Sequence, residues 1–355
     1  MKKVLFSVFA VAAAMTACSK SDVVDAPNID TPISFAAYSG KAPISKATSI
    51  ENQEDLNQFV VYAYNTENGV ADYTKNYFNE TLQFSGSENT GSWAFVAHQD
   101  GKVPVYYWPS DGENLAFVAY SNNGAVFNAP SETTTPSLTV TVDDEVVNQK
   151  DVMVATPVST RNESSSVELA FNHVLSRVHF ALTGDDRPIV VTSVKVKGAF
   201  YDEGTVDLST NPVVTPTANT ARGEYEYLSD NYNFTFTPSD NATTASIKYS
   251  ENAAAEDHYM MIIPSVPTDV VVKFYFADDE TNSTYTASLV LNENGSDSFK
   301  FNAGKSYKFH LTLTSNKVTF GAVVNPWNGT GDDDTILPDT EAGSTNDYKF
   351  SVVKD

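Results

Sequence analysis

The sequence predicts an all-β protein built from two tandem antiparallel β-sandwiches. Three observations carry this expectation. Apolar residues recur with period 2 along most of the chain, and apolar residues at helical spacing are almost absent. Turn signals such as Asp111-Gly112, Asn123-Gly124 and Asn294-Gly295, with long Ser/Thr/Asn/Pro loops, separate the runs. Short strands with half of their residues apolar bury one face and solvate the other, as sandwich strands do. A length of 355 residues suits about two domains.

Lys2 and Lys3 open the chain, and Val4 to Ala17 is almost purely apolar and small, ending at Cys18. Fourteen residues at 1.5 Å each reach roughly 21 Å, short of the ~30 Å hydrocarbon core, so the stretch reads as a signal sequence (1–17) rather than a membrane span. Met15-Thr16-Ala17-Cys18 resembles a bacterial lipobox, which makes Cys18 the expected acylation site, with the polar Ser19–Asp22 as its tether. Next, Ile33, Phe35 and Ala37 alternate with Ser34, Ala36 and Tyr38 as a strand, followed by Lys41 and Lys46 in a Gly/Pro/Ser-containing stretch.

The body continues the alternation over 57–64, 92–97, 103–108, 114–120, 138–142, 151–155 and 166–171. It resumes over 178–182, 189–198, 232–236, 258–263, 269–277 and 284–291. The clearest case is 305–314, where Tyr307, Phe309, Leu311 and Leu313 face one side and Ser306, Lys308, His310, Thr312 and Thr314 the other. A single helical turn is expected near Asn172–Ser176. The apolar-free Thr160–Ser166 stretch is the expected boundary between the sandwiches. After Trp327, an acidic Gly/Asp/Pro/Thr-rich linker leads to a last strand in which Tyr348, Phe350 and Val352 form an apolar comb. That strand either folds back on its own second sandwich or completes the sandwich of a neighbouring subunit.

Charge and composition exclude several functions. With 45 Asp+Glu against 22 Lys+Arg the net charge is -23, which repels nucleic acid and an anionic membrane surface. At 41% hydrophobic residues the chain is too apolar for an acidic disordered protein. One cysteine permits no internal disulfide and no cysteine-based zinc cluster. No HExxH pair, GxSxG elbow or Gly-rich phosphate loop occurs, so neither an enzyme nor a bound cofactor or metal is expected. His179 and His310 fall on polar strand faces as solvated or cross-strand partners, and His173 is expected as a buried turn residue bonded to backbone groups. Asp143-Asp144-Glu145 and Asp332-Asp333-Asp334 lack the alternating spacing of a calcium loop and read as solvated acidic loops. Trp93, Trp108 and Trp327 could form a sugar-stacking platform. Trp108, at a strand end, instead suits a core aromatic, and Trp327 a pin for the last strand of the second sandwich.

Several segments, in order, resemble the Bacteroidales fimbrillin family of type V pilus subunits. They are Ile33-Ser34-Phe35 with Ser45-Lys46-Ala47-Thr48, Val105–Pro109 with Phe117–Tyr120, and Asp151–Ala155 with Val167–Val178. Gly304–Phe309 and Val324–Trp327 close the series. The resemblance implies a surface lipoprotein precursor with two transthyretin-like sandwiches, attached to the outer membrane only through its lipid. It implies cleavage by a trypsin-like protease after Lys46, or second after Lys41, which frees the Ile33/Phe35/Ala37 strand. A donor strand from another fimbrial subunit then fills the groove, here with Tyr348, Phe350 and Val352. The implied organisation is 1–17 signal, 18–46 pro-segment, 47–163 and 164–327 sandwiches, and 328–355 linker and donor strand. The tail favours a shaft subunit over a tip subunit. The implied function is a structural, adhesion-supporting pilus subunit, and the alternative is a cell-surface glycan-binding lipoprotein. Cleavage after Lys46 leaves 17 basic and 42 acidic residues, a charge of -25, and no cysteine.

Overall fold

The computed structural model describes residues 31–39, 56–86, 91–121, 123–161, 166–184, 187–228, 232–239, 243–249, 259–281, 283–292, 299–314, 318–327, 334–341 and 349–355. The fold is all-β, with four sheets among the described residues. The first has the order β1 (Phe35–Ser39), β10 (Val167–His173), β8 (Met153–Ala155), β5 (Leu115–Ser121), β2 (Gln58–Glu67), β3 (Val70–Ser85) and β4 (Ser92–Phe95), with β9 (Val158–Thr160) also on β5. The second, of four strands, runs β14 (Val214–Pro216), β13 (Glu203–Asp207), β7 (Ser137–Thr141) and β6 (Ala125–Asn128). The third runs β17 (Thr244–Ser246), β11 (Ser176–Gly184), β21 (Lys305–Leu313), β22 (Val318–Pro326) and β23 (Asp334–Glu341), with β18 (Met260–Ile262) on β11. The fourth runs β15 (Ala221–Leu228), β12 (Ile189–Tyr201), β19 (Val266–Phe276), β20 (Tyr285–Val290) and β24 (Lys349–Lys354), with β16 (Phe234–Phe236) on β12.

Two apolar cores result. The smaller gathers Ile33, Phe35 and Ala37 with Phe59, Phe78, Phe117, Leu169 and Phe171. The larger fills the space between the third and fourth sheets and reaches under the second. Strand β5 is buried along its whole length because it serves both: Leu115, Phe117 and Ala119 enter the small core, while Ala116, Val118 and Tyr120 enter the large one. Its continuous apolar run, Leu-Ala-Phe-Val-Ala-Tyr, records that two-sided burial.

Three expectations change here. The boundary at 163/164 is crossed by the first sheet, because β10 pairs with β8 and β1 and buries Val167, Leu169 and Phe171 in the small core. The second sheet also joins β7 to β13 across that boundary. The helical turn near Asn172–Ser176 is absent: the chain passes from β10 into β11 with only a bend at Leu175, since Val174 and Leu175 are wholly buried. Residues 103–108 are extended but make only an isolated bridge, Pro32–Tyr107. The 16-residue β3 escaped the period-2 reading because much of it is polar or half-exposed. The turns at Gly112 and Gly124 place both glycines at positive φ, where a Cβ would be strained.

Candidate functional site

The terminal strands are the site to build. β1 runs parallel to β10, with Phe35 opposite Val167 and Ala37 opposite Leu169, and Val167 N donates to Ser34 O at 2.8 Å. On its other side Ile33 N donates to Tyr106 O at 2.8 Å, and Pro32 bridges Tyr107. β1 is therefore the edge strand of the first sheet, laddered to β10 on one side, while on the other side Pro32 and Ile33, just before it, bind the Tyr106–Tyr107 segment. Its alternation sends Ile33, Phe35 and Ala37 inward, at 3%, 5% and 2% exposure, and leaves Ser34, Ala36 and Tyr38 in solvent.

Phe35 is the centre of this seat. Its ring meets Phe117, Phe95 and Phe78 edge-on, with centroids 5.5, 6.0 and 6.5 Å away. Edge-to-face contacts of this kind add to the gain from area burial. Removing β1 would uncover that aromatic socket together with the backbone donors and acceptors of β10, an arrangement that another strand can satisfy. Tyr106 supports the wall: its ring stacks on Phe78 at 4.2 Å and its hydroxyl donates to Glu80 at 2.5 Å. Desolvation, then the bond to Glu80, push the Tyr106 hydroxyl up to about 12.

The last strand sits differently. β24 pairs antiparallel with β20 at the edge of the fourth sheet, Phe350 opposite Leu289 and Val352 opposite Ala287. Phe350 is buried and lies 5.6 Å from the Phe320 ring, whereas Val352 is half-buried and Ser351 and Val353 are exposed. Asp355 closes the strand, its carboxylate accepting from Thr286 Oγ1 at 2.9 and 3.0 Å and its N–H donating to Thr284 O. Tyr348, the third member of the comb, lies outside the described residues, as do Cys18, Lys41 and Lys46.

A buried polar knot fixes the point where the tail departs. His173 Nδ1 bonds both oxygens of Asp151, at 2.9 and 3.1 Å, with side chains 1% and 0% exposed. The imidazole stacks on Trp327 at 4.2 Å and 5°. Arg177 lies over Trp327 at 5.0 Å and over Tyr259 at 4.0 Å, and its Nε donates to Ser306 Oγ at 3.0 Å. Trp327 N donates to the carbonyl of Gly304, a residue at φ +66. His173 thus finds a carboxylate, because Asp151 is buried just before β8 and needs compensation. A His–Asp pair is half of a hydrolytic triad. This one is sealed beneath an indole and cannot meet a substrate. Trp327 pins the end of β22 as expected. From the sequence Asp151 reads only as part of a strand, and the one local signal of its burial is its place at the head of an apolar run, Asp-Val-Met-Val-Ala.

The remaining expectations resolve locally. His179 Nε2 meets Ser246 Oγ at 3.0 Å and His310 Nε2 meets Thr183 Oγ1 at 2.7 Å, both across neighbouring strands. Trp108 packs edge-on to Phe117 in the small core, and half-buried Trp93 lies against Phe59 and Phe84, so the three indoles form no common exposed platform. Asp144 pairs with Arg222, and Asp143 accepts from the Glu145 N–H, so this loop is structured by its own charges. Asp332 and Asp333 lie outside the described residues. Among the described residues no group of three or more His, Cys, Asp or Glu is placed to hold a metal ion. An open cleft of about 580 Å³ lies between the β2–β3 hairpin and residues 131–135. Lys75 engages Glu67 and Asp72 there, and hydrogen bonds from Thr74 and then Lys75 hold the Asp72 carboxyl down at about 2.

A family model described as fimbrillin-like matches residues 45–327. The chain belongs to the fimbrillin-like family. Among solved structures, it is similar to a fimbrial protein from Bacteroides vulgatus ATCC 8482 at TM-score 0.53 and 17% identity, over 83% of this chain and 99% of that one. A candidate cell adhesion protein from Bacteroides uniformis ATCC 8492 aligns at TM-score 0.51 and 16% identity, over 84% and 100%. At such identity these likenesses establish the shared fold. No curated protein matches the sequence.

Proposed function

We propose that this fimbrillin-like chain is a cell-surface pilus subunit that polymerises by exchanging a terminal strand. It reaches the outer membrane as a precursor acylated at Cys18. A trypsin-like protease cuts after Lys46, or after Lys41, which severs β1 from the body it helps to fold. β1 leaves, and the C-terminal strand of another subunit enters between β10 and the Tyr106–Tyr107 segment. The observation that carries this reading is the seat of β1. A six-residue stretch, Pro32 to Ala37, fills a groove with three inward side chains, and its only covalent link to the rest of the fold passes through the two lysines. The long tail suits a shaft subunit, and the burial of Trp108 and Trp327 weighs against a glycan platform.

The test is a limited trypsin digestion followed by unboiled SDS gel electrophoresis. Intact precursor stays monomeric, and cleaved protein forms SDS-resistant ladders. Deleting Tyr348–Asp355 abolishes the ladders while the monomer stays folded by circular dichroism. Cleaved protein with an intact tail that never oligomerises would overturn the proposal.

A further inference from the structure

Resting on that strand-exchange reading, we infer that Phe350 is the register-setting residue of assembly. It enters the Phe35 socket of the next subunit, with the incoming strand running in the same direction as β1.

The inference starts from the two combs. Ile33, Phe35 and Ala37 and Tyr348, Phe350 and Val352 share the i, i+2, i+4 spacing of one strand face, and each has phenylalanine at its centre. Three aromatic rings converge on the Phe35 position, so that pocket is the one whose shape asks for a phenyl group. A shift of two residues would push Phe350 into a seat built for isoleucine or alanine and leave the aromatic socket to tyrosine or valine. A shift of one residue would turn the whole apolar face to solvent.

Side-chain volume then chooses the direction. The backbone does not, because a strand can form a ladder with β10 in either direction and the 106–107 segment contributes only a single bridge, at Pro32. With Phe350 in its socket and the strand parallel to β10, Val352 takes the seat of Ala37 and Tyr348 that of Ile33. The Ile33 seat is as buried as that of Ala37, at 3% exposure, but it already holds a four-carbon side chain and has exposed Pro32 and Tyr107 beside it, so it is the roomier of the two. In the reverse direction Tyr348 would have to enter the seat of Ala37, which is 2% exposed and sized for a methyl group. Overpacking of that size is the costlier error.

Register and direction together fix which side chains become neighbours. Ala36 stands opposite Glu168 and Ser34 beside Ser166, their hydroxyls 2.9 Å apart. In the parallel arrangement Ser351 replaces Ala36 and faces Glu168; in the reverse one it replaces Ser34 and faces Ser166. These two β10 positions are about 6.6 Å apart along the strand, so a disulfide, with its narrow Cα–Cα range, tells them apart. Ser351 and Glu168 are exposed, which makes their substitution mild.

The experiment uses the full chain with Cys18→Ser, so that engineered thiols are the only ones. Ser351→Cys is combined with Glu168→Cys in one variant and with Ser166→Cys in another. Each is cleaved with trypsin, mildly oxidised, and run on SDS gels unboiled and boiled, without reductant. The expected result is a ladder that survives boiling for the Ser351/Glu168 pair, collapses on reduction, and is absent from uncleaved precursor. The Ser351/Ser166 pair gives a ladder only when unboiled. Unboiled ladders in both variants, with a boil-stable ladder for Ser166 or for neither, overturn the assignment and leave strand exchange standing. No unboiled ladder in either variant, nor in the Cys18→Ser parent, overturns the strand-exchange reading and this inference with it.

Discussion

β1 and β24 are both short terminal strands at a sheet edge with a buried phenylalanine, yet the residues leading into β1 are also bonded on the far side, to Tyr106–Tyr107, and β24 is paired with β20 alone among the described residues. All three inward residues of β1 are at most 5% exposed, whereas in β24 only Phe350 is buried to that degree and Val352 stands half out of the core. The contrast separates two roles. A strand held by one ladder alone can peel away by breaking it, so it is suited to leave and seek a better seat. Losing β1 and the residues leading into it means uncovering three buried side chains and breaking the Pro32–Tyr107 bridge as well as the β10 ladder, in keeping with a proposed assembly that needs a cut in the chain before the groove opens.

The largest effect comes from removing the freedom of either strand. Ser34→Cys with Ser166→Cys in the Cys18→Ser chain should form a disulfide that holds β1 in place after trypsin cleavage, since the native hydroxyls are 2.9 Å apart. Ser351→Cys with Ser288→Cys should likewise tie β24 to β20, where these residues stand in register. Both oxidised variants should show no ladder, and reductant should restore it. If the β24 lock leaves the ladder intact, the tail is not the donor and the comparison breaks there.

The next effect measures how unlike the two seats are. Phe35→Ala removes a ring from the meeting point of three others and should cost about 3–5 kcal/mol, the usual range for a buried phenylalanine. Phe350→Ala should fall at the lower end, about 3 kcal/mol, because an edge site next to half-buried Val352 can collapse around the cavity. Urea midpoints of the two uncleaved precursors, at unchanged denaturant slope, give the ranking. Equal losses would show that β24 is as firmly held as β1.

Much of this was legible in the residues. The combs at 33–37 and 348–352 could be read because a strand with one buried face must alternate, and Phe35, Phe350 and their neighbours do so cleanly. Strands β10 and β21 alternate in the same way, whereas β5 is legible as a continuous apolar run. What stayed hidden depends on contacts across long sequence separation. That β1 pairs in parallel with β10, more than 130 residues away, leaves no mark in either segment. Nor does the choice of Asp151 as partner to His173, or the aromatic trio around Phe35, each member of which reads only as one more strand phenylalanine. The boundary was misplaced because Thr160–Ser166 has the composition of a linker but joins two strands of the same sheet.

The smallest effect concerns the wall that β1 shares with Tyr106. The Tyr106 carbonyl accepts from Ile33 N, while its hydroxyl, pushed up to about 12 by desolvation and by the bond to Glu80, must stay protonated to keep that bond. An exposed tyrosine ionises near pH 10. A group whose value is raised in the packed state contributes its stability fully below the unpacked value and loses it as the pH climbs to the packed one. Retention of β1 by cleaved precursor should therefore be flat up to about pH 10 and weaken between about 10 and 12. Tyr106→Phe removes the ionising group together with one hydrogen bond to a carboxylate, so it should loosen β1 by about 1–2 kcal/mol at neutral pH. It should also remove most of the alkaline step. Size-exclusion chromatography of the cleaved protein, with the 1–46 fragment followed on gels across that pH range, reads both effects. An alkaline step of undiminished size in the variant would assign the loss of β1 to other tyrosines, such as Tyr64 or Tyr120, whose hydroxyls burial also pushes upward, and would take Tyr106 out of the seat's energetics.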